Sequence, residues 1–197
     1  MKNELTKAVP VAFKEWSLIC DALASGAQSL ILRKGGIAEG RSGFSFDHDS
    51  FWFFPTQFHT QQNLVLENTR PEEATRYQQH TPEPGDELHL DLIATVVRKG
   101  RLKHWQDVKD LEGFHQWQER VLEERFHYGN PPGLHYALVR VYRTDQPLKL
   151  IMQRSFGGCR SWIDLPQDID VLHSFYPVLS DDEFSQLQQR LENLKGW

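Results

Sequence analysis

Residues 88–96 read LHLDLIATV, in which leucines occupy the first, third and fifth positions. The intervening His89 and Asp91 are polar, and an apolar period of two is typical of a β-strand that buries one face. The sequence TPEPGD at residues 81–86 comes directly before it and is rich in turn formers. We therefore predict a turn followed by a long, half-buried strand.

Other segments of strand length lie on both sides of this one. Apolar or alternating runs bounded by glycine, proline or charged residues indicate strands. On the N-terminal side they predict an antiparallel meander over residues 28–56. On the C-terminal side they predict two strands, 134–142 and 148–152, joined by a loop that contains Asp145 and Pro147.

Helical periodicity appears in four places. Apolar residues three and four apart predict a helix over 10–24, with Pro10 at its start and Gly26 at its end. The same spacing returns over 107–125, and capping residues favour a surface helix over 68–80. Residues 180–183 read SDDE, a capping box that predicts a C-terminal helix with one apolar stripe. The stripe contains Phe184, Leu187, Leu191 and Leu194.

The chain has the length and composition of one domain. It contains 197 residues, of which 39% are hydrophobic and 12% aromatic, including six Trp and twelve Phe. A domain of this size buries most of the surface that its unfolded chain exposes. We predict a single α+β domain over 1–197 with N- and C-terminal helices packed on a sheet. The sheet is expected to be mostly antiparallel or mixed, and either open or curled toward a barrel.

Charge and cysteine usage narrow the classes of function. Lys and Arg number 22 against 27 acidic residues, which gives a formal net charge of -5 and a pI near 6.0. A nucleic-acid ligand would therefore need a local basic patch. The two cysteines, Cys20 and Cys159, lack metal-ligand spacing and are expected to be reduced thiols. Without a signal-peptide core or a membrane-length apolar run, the sequence predicts a cytoplasmic protein with no membrane partner.

The first candidate cluster is the sequence RKGG at residues 33–36. Arg33 and Lys34 are cations, and Gly35 and Gly36 permit a turn whose backbone N–H groups can face an anion. The cluster lacks the glycine patterns of P-loops and dinucleotide sites. It predicts either a phosphate-binding turn or an exposed hairpin turn with solvated charges.

The second candidate cluster combines DHD at residues 47–49 with PTQFH at residues 55–59. His48 and His59 titrate near neutral pH and could act as acid and base, and Thr56 is a candidate ligand contact. Three alternatives stay open for this cluster: a divalent metal site, acid-base or substrate contact, and structural histidines that are satisfied by protein partners. We predict no metal ligands here, because the spacing does not show convergence.

The third candidate cluster is GGCRSW at residues 157–162. Arg160 offers a forked donor for phosphate or carboxylate, next to the hydroxyl of Ser161. Trp162 could stack on a planar ligand, and Cys159 could serve as a nucleophile beside Arg160. The alternative is a tight turn with a buried tryptophan and a small cysteine.

Three motifs together resemble the family called domain of unknown function 1802. They are RKGGI at 33–37, the segment 51–59 that ends in FPTQFH, and FGGCRSW at 156–162. The resemblance extends over nearly the full chain, although Phe54 and Phe58 replace tyrosines of the family's proline-threonine segment. It implies no established activity. Some relatives are joined to restriction-endonuclease-like domains, which implies a role beside restriction or defence systems.

These observations lead to three hypotheses of function. The first is a binding module for nucleic acid or nucleotide phosphate, with the 33–34 turn, His59 and Arg160 lining one pocket. The second is a small hydrolase that uses His48, His59 or Cys159. The third is an oligomeric interaction protein whose aromatic residues form an interface. The sequence identifies no cofactor.

Overall fold

The computed structural model describes residues 9–34, 44–57, 63–66, 82–166 and 174–197, which form one seven-stranded sheet and four α-helices. The strands are β1 (Val11–Trp16), β2 (Leu30–Arg33), β3 (Ser50–Thr56), β4 (Glu87–Leu102), β5 (Leu134–Ile151), β6 (Trp162–Asp164) and β7 (Phe175–Pro177). The helices are α1 (Ser17–Ser25), α2 (Trp105–Lys109), α3 (Glu119–His127) and α4 (Asp181–Glu192).

The sheet is mixed and open, which is one of the forms predicted from the sequence. Its strand order is β2-β5-β4-β3-β1-β6, and β7 pairs with β5 beyond the end of β2. Only the β1–β3 pair among these strands is parallel. The long β4–β5 pair forms the centre, and β2 and β6 end the path. The α+β class is therefore confirmed.

The first predicted helix is wrong in its N-terminal half. Residues 11–16 form β1, and the helix begins only at Ser17. All but Trp16 of these six residues are buried, because β1 lies between β3 and β6 and both of its faces are covered. The predicted stop at Gly26 is confirmed, since this residue adopts a φ of 78°, which favours glycine.

Two further predictions about connectivity are wrong. Residues 28–56 do not form a meander, because β2 pairs with β5 while β3 pairs with β1 and β4. The two strands expected between 134 and 152 are one strand, β5, which continues through the predicted loop. There the register shifts against β4 between Leu90 and Leu92, so the loop residues form a bulge within the strand.

The helix predicted over 107–125 is divided into two. α2 ends at Lys109 and α3 begins at Glu119, with turns and a buried stretch between them. Leu111, Phe114 and Trp117 are buried as the periodicity requires, but Trp117 forms a β-bridge with Val65. The helix predicted over 68–80 lies outside the described residues.

The C-terminal helix matches its prediction. The Ser180 hydroxyl accepts a hydrogen bond from the backbone N–H of Glu183, and the Glu183 carboxylate accepts one from the Ser180 backbone N–H. Phe184 and Leu191 are buried against the core. None of the helices within the described ranges is long and apolar enough to cross a membrane.

Candidate functional site

Strand β1 carries two charged side chains into the protein interior. Glu15 is 1% exposed and Lys14 is 8% exposed. Burial raises the pKa of the Glu15 carboxyl, and nearby Arg33 and Arg125 partly offset this effect. Burial also lowers the pKa of Lys14, and the positive charges of Arg160 and Arg33 lower it further. Arg33 is therefore within electrostatic reach of both Lys14 and Arg125, and Lys14 is within reach of Arg160. We call Lys14, Arg33, Arg125 and Arg160 the cationic cluster.

Ser161 joins two of the sequence motifs. The Arg33 Nε and Nη2 atoms donate hydrogen bonds to the Ser161 hydroxyl at 3.1 and 2.9 Å. The Ser161 carbonyl accepts from the Lys14 backbone N–H at 2.8 Å, and the Lys14 ammonium donates to the Gly158 carbonyl at 2.9 Å. The end of β2 and the loop 157–161 thus meet over β1.

Arg125, on α3, is a half-buried member of the cationic cluster that packs on two aromatic rings. Its guanidinium lies 3.9 Å from the ring centroid of Trp117 and 5.0 Å from that of Trp16. Burial lowers the pKa of Arg125 to about 10, so the side chain is still a cation at neutral pH. The two indole rings stabilise this buried charge through their π faces.

A row of basic side chains extends the cationic cluster across the sheet. Arg33 on β2 pairs directly with His135 on β5, and His135 pairs with Arg101 on β4. Directly paired residues of neighbouring strands share one face of a sheet, so the three side chains lie in a row. We call Arg33, His135 and Arg101 the basic row. The Phe44 ring covers His135 at a centroid distance of 5.5 Å.

The arginines and lysines at this face mostly bind neutral oxygen atoms instead of carboxylates. Arg33 uses a hydroxyl and Lys14 a carbonyl, and Arg101 donates to the carbonyls of Pro131 and Pro132 at 3.0 and 3.2 Å. Such acceptors fix the position of a cation without neutralising its charge. A guanidinium also has five donors, so Arg33 and Arg101 keep donors for a further partner.

Lys34 has a different role from Arg33. Its ammonium donates to the carbonyls of Phe126, Pro131 and Gly133 at 3.2, 3.4 and 3.0 Å. An ammonium has three donor hydrogens, so these contacts engage all of them. Lys34 therefore anchors the C-terminal end of α3 and the loop after it, and it contributes positive charge to the face without a free donor.

Trp162 and His48 lie next to each other. The Trp162 ring packs among Phe13, Phe44, Phe46, Phe51 and His48, with centroid distances from 4.8 to 6.4 Å. Its Nε1 donates to the Ser45 carbonyl at 3.2 Å. Most of the ring is thus part of an aromatic cluster, and His48 covers its edge at 4.8 Å.

The other predicted site residues fall into three groups. Cys159 and Arg160 are exposed on the loop before β6. Thr56 is half-buried at the end of β3, and its hydroxyl donates to the Glu15 carbonyl at 3.1 Å. Gly35, Gly36 and His59 lie outside the described residues. No three His, Cys, Asp or Glu side chains converge as metal ligands within the parts of the chain that the structure describes.

Sequence reasoning missed Lys14, Glu15, Arg101 and His135 as site residues. The available signal for the first two was the pair of charges inside VAFKEW at residues 11–16, because a buried strand does not normally carry charge. Arg101 and His135 are 34 positions apart in the chain. Only the register of β4 and β5 shows that they are neighbours.

The architecture defines an α+β domain with an open mixed sheet and a cluster of cations on β1, β2, α3 and the loop before β6. Residues 12–190 match the model of the family described as domain of unknown function 1802, and the chain belongs to this family. A search of curated proteins gives no match.

The chain is also similar to solved structures of ASCH from Zymomonas mobilis. The unmodified protein is 11% identical with a TM-score of 0.43, over 91% of this chain and 93% of that one. One point-substituted form is 11% identical with a TM-score of 0.44, over 91% and 94% of the two chains. A second is 12% identical with a TM-score of 0.39, over 91% and 96%.

Proposed function

We propose that the chain binds nucleic acid by its phosphate backbone, with the exposed members of the cationic cluster and the basic row as the contact surface. The supporting observation is that Lys14, Arg33 and Arg101 are held by neutral hydroxyl and carbonyl oxygens. Glu15, a carboxyl that interacts with Arg33 and Arg125, is buried, and burial raises its pKa. The four cations of the cluster outnumber this group even when it is ionised. A local excess of positive charge therefore exists on a chain whose formal net charge is -5.

Phosphate oxygens match the donors that this surface presents. Arg160 is exposed, and its guanidinium can form two parallel hydrogen bonds to one phosphate. The basic row continues across three strands that are about 4.8 Å apart, so it can follow a strand of successive phosphates. Some relatives in the resembled family are joined to restriction-endonuclease-like domains. We therefore propose that the chain binds nucleic acid as part of a restriction or defence system.

Replacement of one exposed cation tests the proposal. Arg160→Gln is expected to weaken oligonucleotide binding about tenfold, since a hydrogen bond to a charged group contributes ~1.5 kcal/mol or more. It should also reduce the slope of log affinity against log salt by ~0.7 for single strands or ~0.9 for duplexes. Fluorescence anisotropy with labelled DNA and RNA, single- and double-stranded, measures both quantities.

Lys149→Gln is the matched control, because Lys149 is an exposed cation near the far end of β5. It should leave affinity and salt slope close to those of the parent protein. Equal losses in the two variants would show that the surface is wrongly placed. If the parent protein binds none of the four oligonucleotides at low salt, the proposed function is wrong.

A hydrolase that uses His48, His59 or Cys159 stays a prediction. The contact of His48 with Trp162 brings this histidine to the segment that contains Cys159, which is the observation in its favour. Loss of a measurable hydrolysis in both His48→Ala and Cys159→Ala, with binding of oligonucleotide intact, would support it.

A further inference from the structure

A cavity lies between α2, α3 and the segment that joins them. It has a volume of about 340 Å³, which falls within the range of small-molecule sites. Its apolar lining includes Val108 and Leu122, and two indole rings, Trp105 and Trp117, form part of its wall. None of the residues of the cationic cluster or the basic row lines it.

His115 supplies a hydrogen-bond donor in this cavity. The residue is 6% exposed, and its Nδ1 accepts a hydrogen bond from the Trp117 backbone N–H at 3.2 Å. Burial lowers the pKa of His115 to about 4, so the ring is neutral at pH 7 and its proton lies on Nε2. This Nε2–H has no acceptor among the described residues.

Trp117 in the same wall adds no donor that a ligand could reach. Its Nε1–H has no acceptor among the described residues, but the atom is completely buried and the residue is 1% exposed. The His115 Nε2–H is not among these completely buried unpaired atoms, so it is the donor that is open to a ligand. The wall therefore favours a ligand that brings a hydrogen-bond acceptor.

The charges at the cavity set a further condition. Asp110, Glu112 and Glu119 line it, and Lys109 is the one basic residue among its described lining residues. Among these lining residues the balance is negative, which disfavours an anionic ligand. The Arg125 cation packs on the Trp117 ring at 3.9 Å and reduces this preference without lining the cavity.

We propose that this cavity binds a small planar heteroaromatic ligand, neutral or cationic, that stacks on Trp105 and accepts a hydrogen bond from His115. Stacking on aromatic side chains provides affinity for any flat ring. The His115 donor and the acidic lining then select rings that carry an acceptor without a negative charge. The described lining of this site shares no residue with the proposed nucleic-acid surface, although Arg125 packs against the lining residue Trp117.

Nicotinamide and nicotinate are matched probes, because both have a pyridine ring and a carbonyl-type acceptor and only nicotinate is an anion. We expect nicotinamide to bind roughly tenfold more tightly, as measured by ligand-observed NMR and by quenching of indole fluorescence. His115→Asn should weaken nicotinamide roughly three- to tenfold, because the Asn oxygen still accepts from Trp117 while the Nε2–H is lost. Trp105→Leu should weaken it, and Trp105→Phe should restore most of the affinity.

Substitutions at exposed positions test the charge preference of the cavity without removing buried side chains. Glu112→Gln combined with Glu119→Gln removes two exposed acids and should bring nicotinate binding close to that of nicotinamide. The Arg160→Gln protein should bind nicotinamide as the parent does, which separates this site from the nucleic-acid surface. No binding of nicotinamide, equal binding of the two probes to the parent protein, or unchanged affinity in both His115→Asn and Trp105→Leu would overturn the proposal.

Discussion

Phe13→Ala is expected to lower the free energy of unfolding by about 3–5 kcal/mol. Phe13 is fully buried on β1, and the cavity left by its ring would face aromatic side chains that cannot all move inward. Its centroid lies between 4.8 and 6.1 Å from the rings of Phe44, Phe46, Phe51 and Trp162. Urea unfolding monitored by tryptophan fluorescence measures the change.

The control for this substitution is Tyr176→Ala on β7. Tyr176 is 53% exposed, so its loss should change the free energy of unfolding by no more than about 0.5 kcal/mol. Comparable losses at the two positions would mean that the aromatic cluster is not the centre of the core. Phe13 also lies below the Arg33 guanidinium at 5.5 Å, so the substitution should reduce oligonucleotide affinity as well.

The sequence predicted best those elements that have a strong local signal. The alternation in β4 and the capping box of α4 each predict an element that the structure contains. The prediction that β4 is half-buried holds only over residues 87–90, because Leu90 to Ala94, including Asp91, are all buried. In α4 the Ser180 and Glu183 side chains satisfy backbone N–H groups that any helix start leaves unpaired.

The sequence failed at β1, which is buried on both faces over almost its whole length. Residues 11–16 have almost no polar period, and the aromatic residues Phe13 and Trp16 happen to stand three apart, as on a helix. These residues form a strand because they pair with β3 and β6, which are 34 or more positions away in the chain. Periodicity alone cannot detect such pairing.

Part of the candidate site was accessible to sequence reasoning. The cations and glycines of residues 33–36 and 157–162 predict site residues there, and Arg33 and Ser161 from these two motifs are joined by two hydrogen bonds. The predicted meeting with His59 stays a prediction, because that residue lies outside the described ranges. Lys34 and Trp162 belong to the same motifs but are engaged mainly by protein groups.

The cavity beside α2 could not have been found from the sequence. His115 stands in a stretch that was expected to be helical, where it would be one polar residue among several. The helix is interrupted between α2 and α3, and His115 is buried within the connecting residues 110–118. The burial of His115, and with it the neutral ring and the Nε2–H donor, therefore depend on tertiary packing, which the local sequence does not show.

The same burial makes His115 a determinant of acid stability. Its pKa is about 4 in the folded protein and about 6.5 in the unfolded chain, where the ring is solvated. Between these values the unfolded state binds a proton that the folded state does not. The contribution of His115 to stability is therefore complete above pH ~6.5, declines as the pH falls toward ~4, and does not change further below that.

We expect His115→Asn to remove this dependence. Relative to that variant, the parent protein should lose about 3 kcal/mol of unfolding free energy between pH ~6.5 and ~4, at ~1.4 kcal/mol for each pKa unit. The comparison uses the difference between the two proteins because Glu15 has the opposite effect. The pKa of Glu15 is raised in the folded protein, so its protonation increases the free energy of unfolding over part of the same fall in pH. Urea unfolding at several pH values gives the two curves. Parallel curves would mean that His115 is solvated, and the donor on which the cavity proposal depends would then be free to bind water.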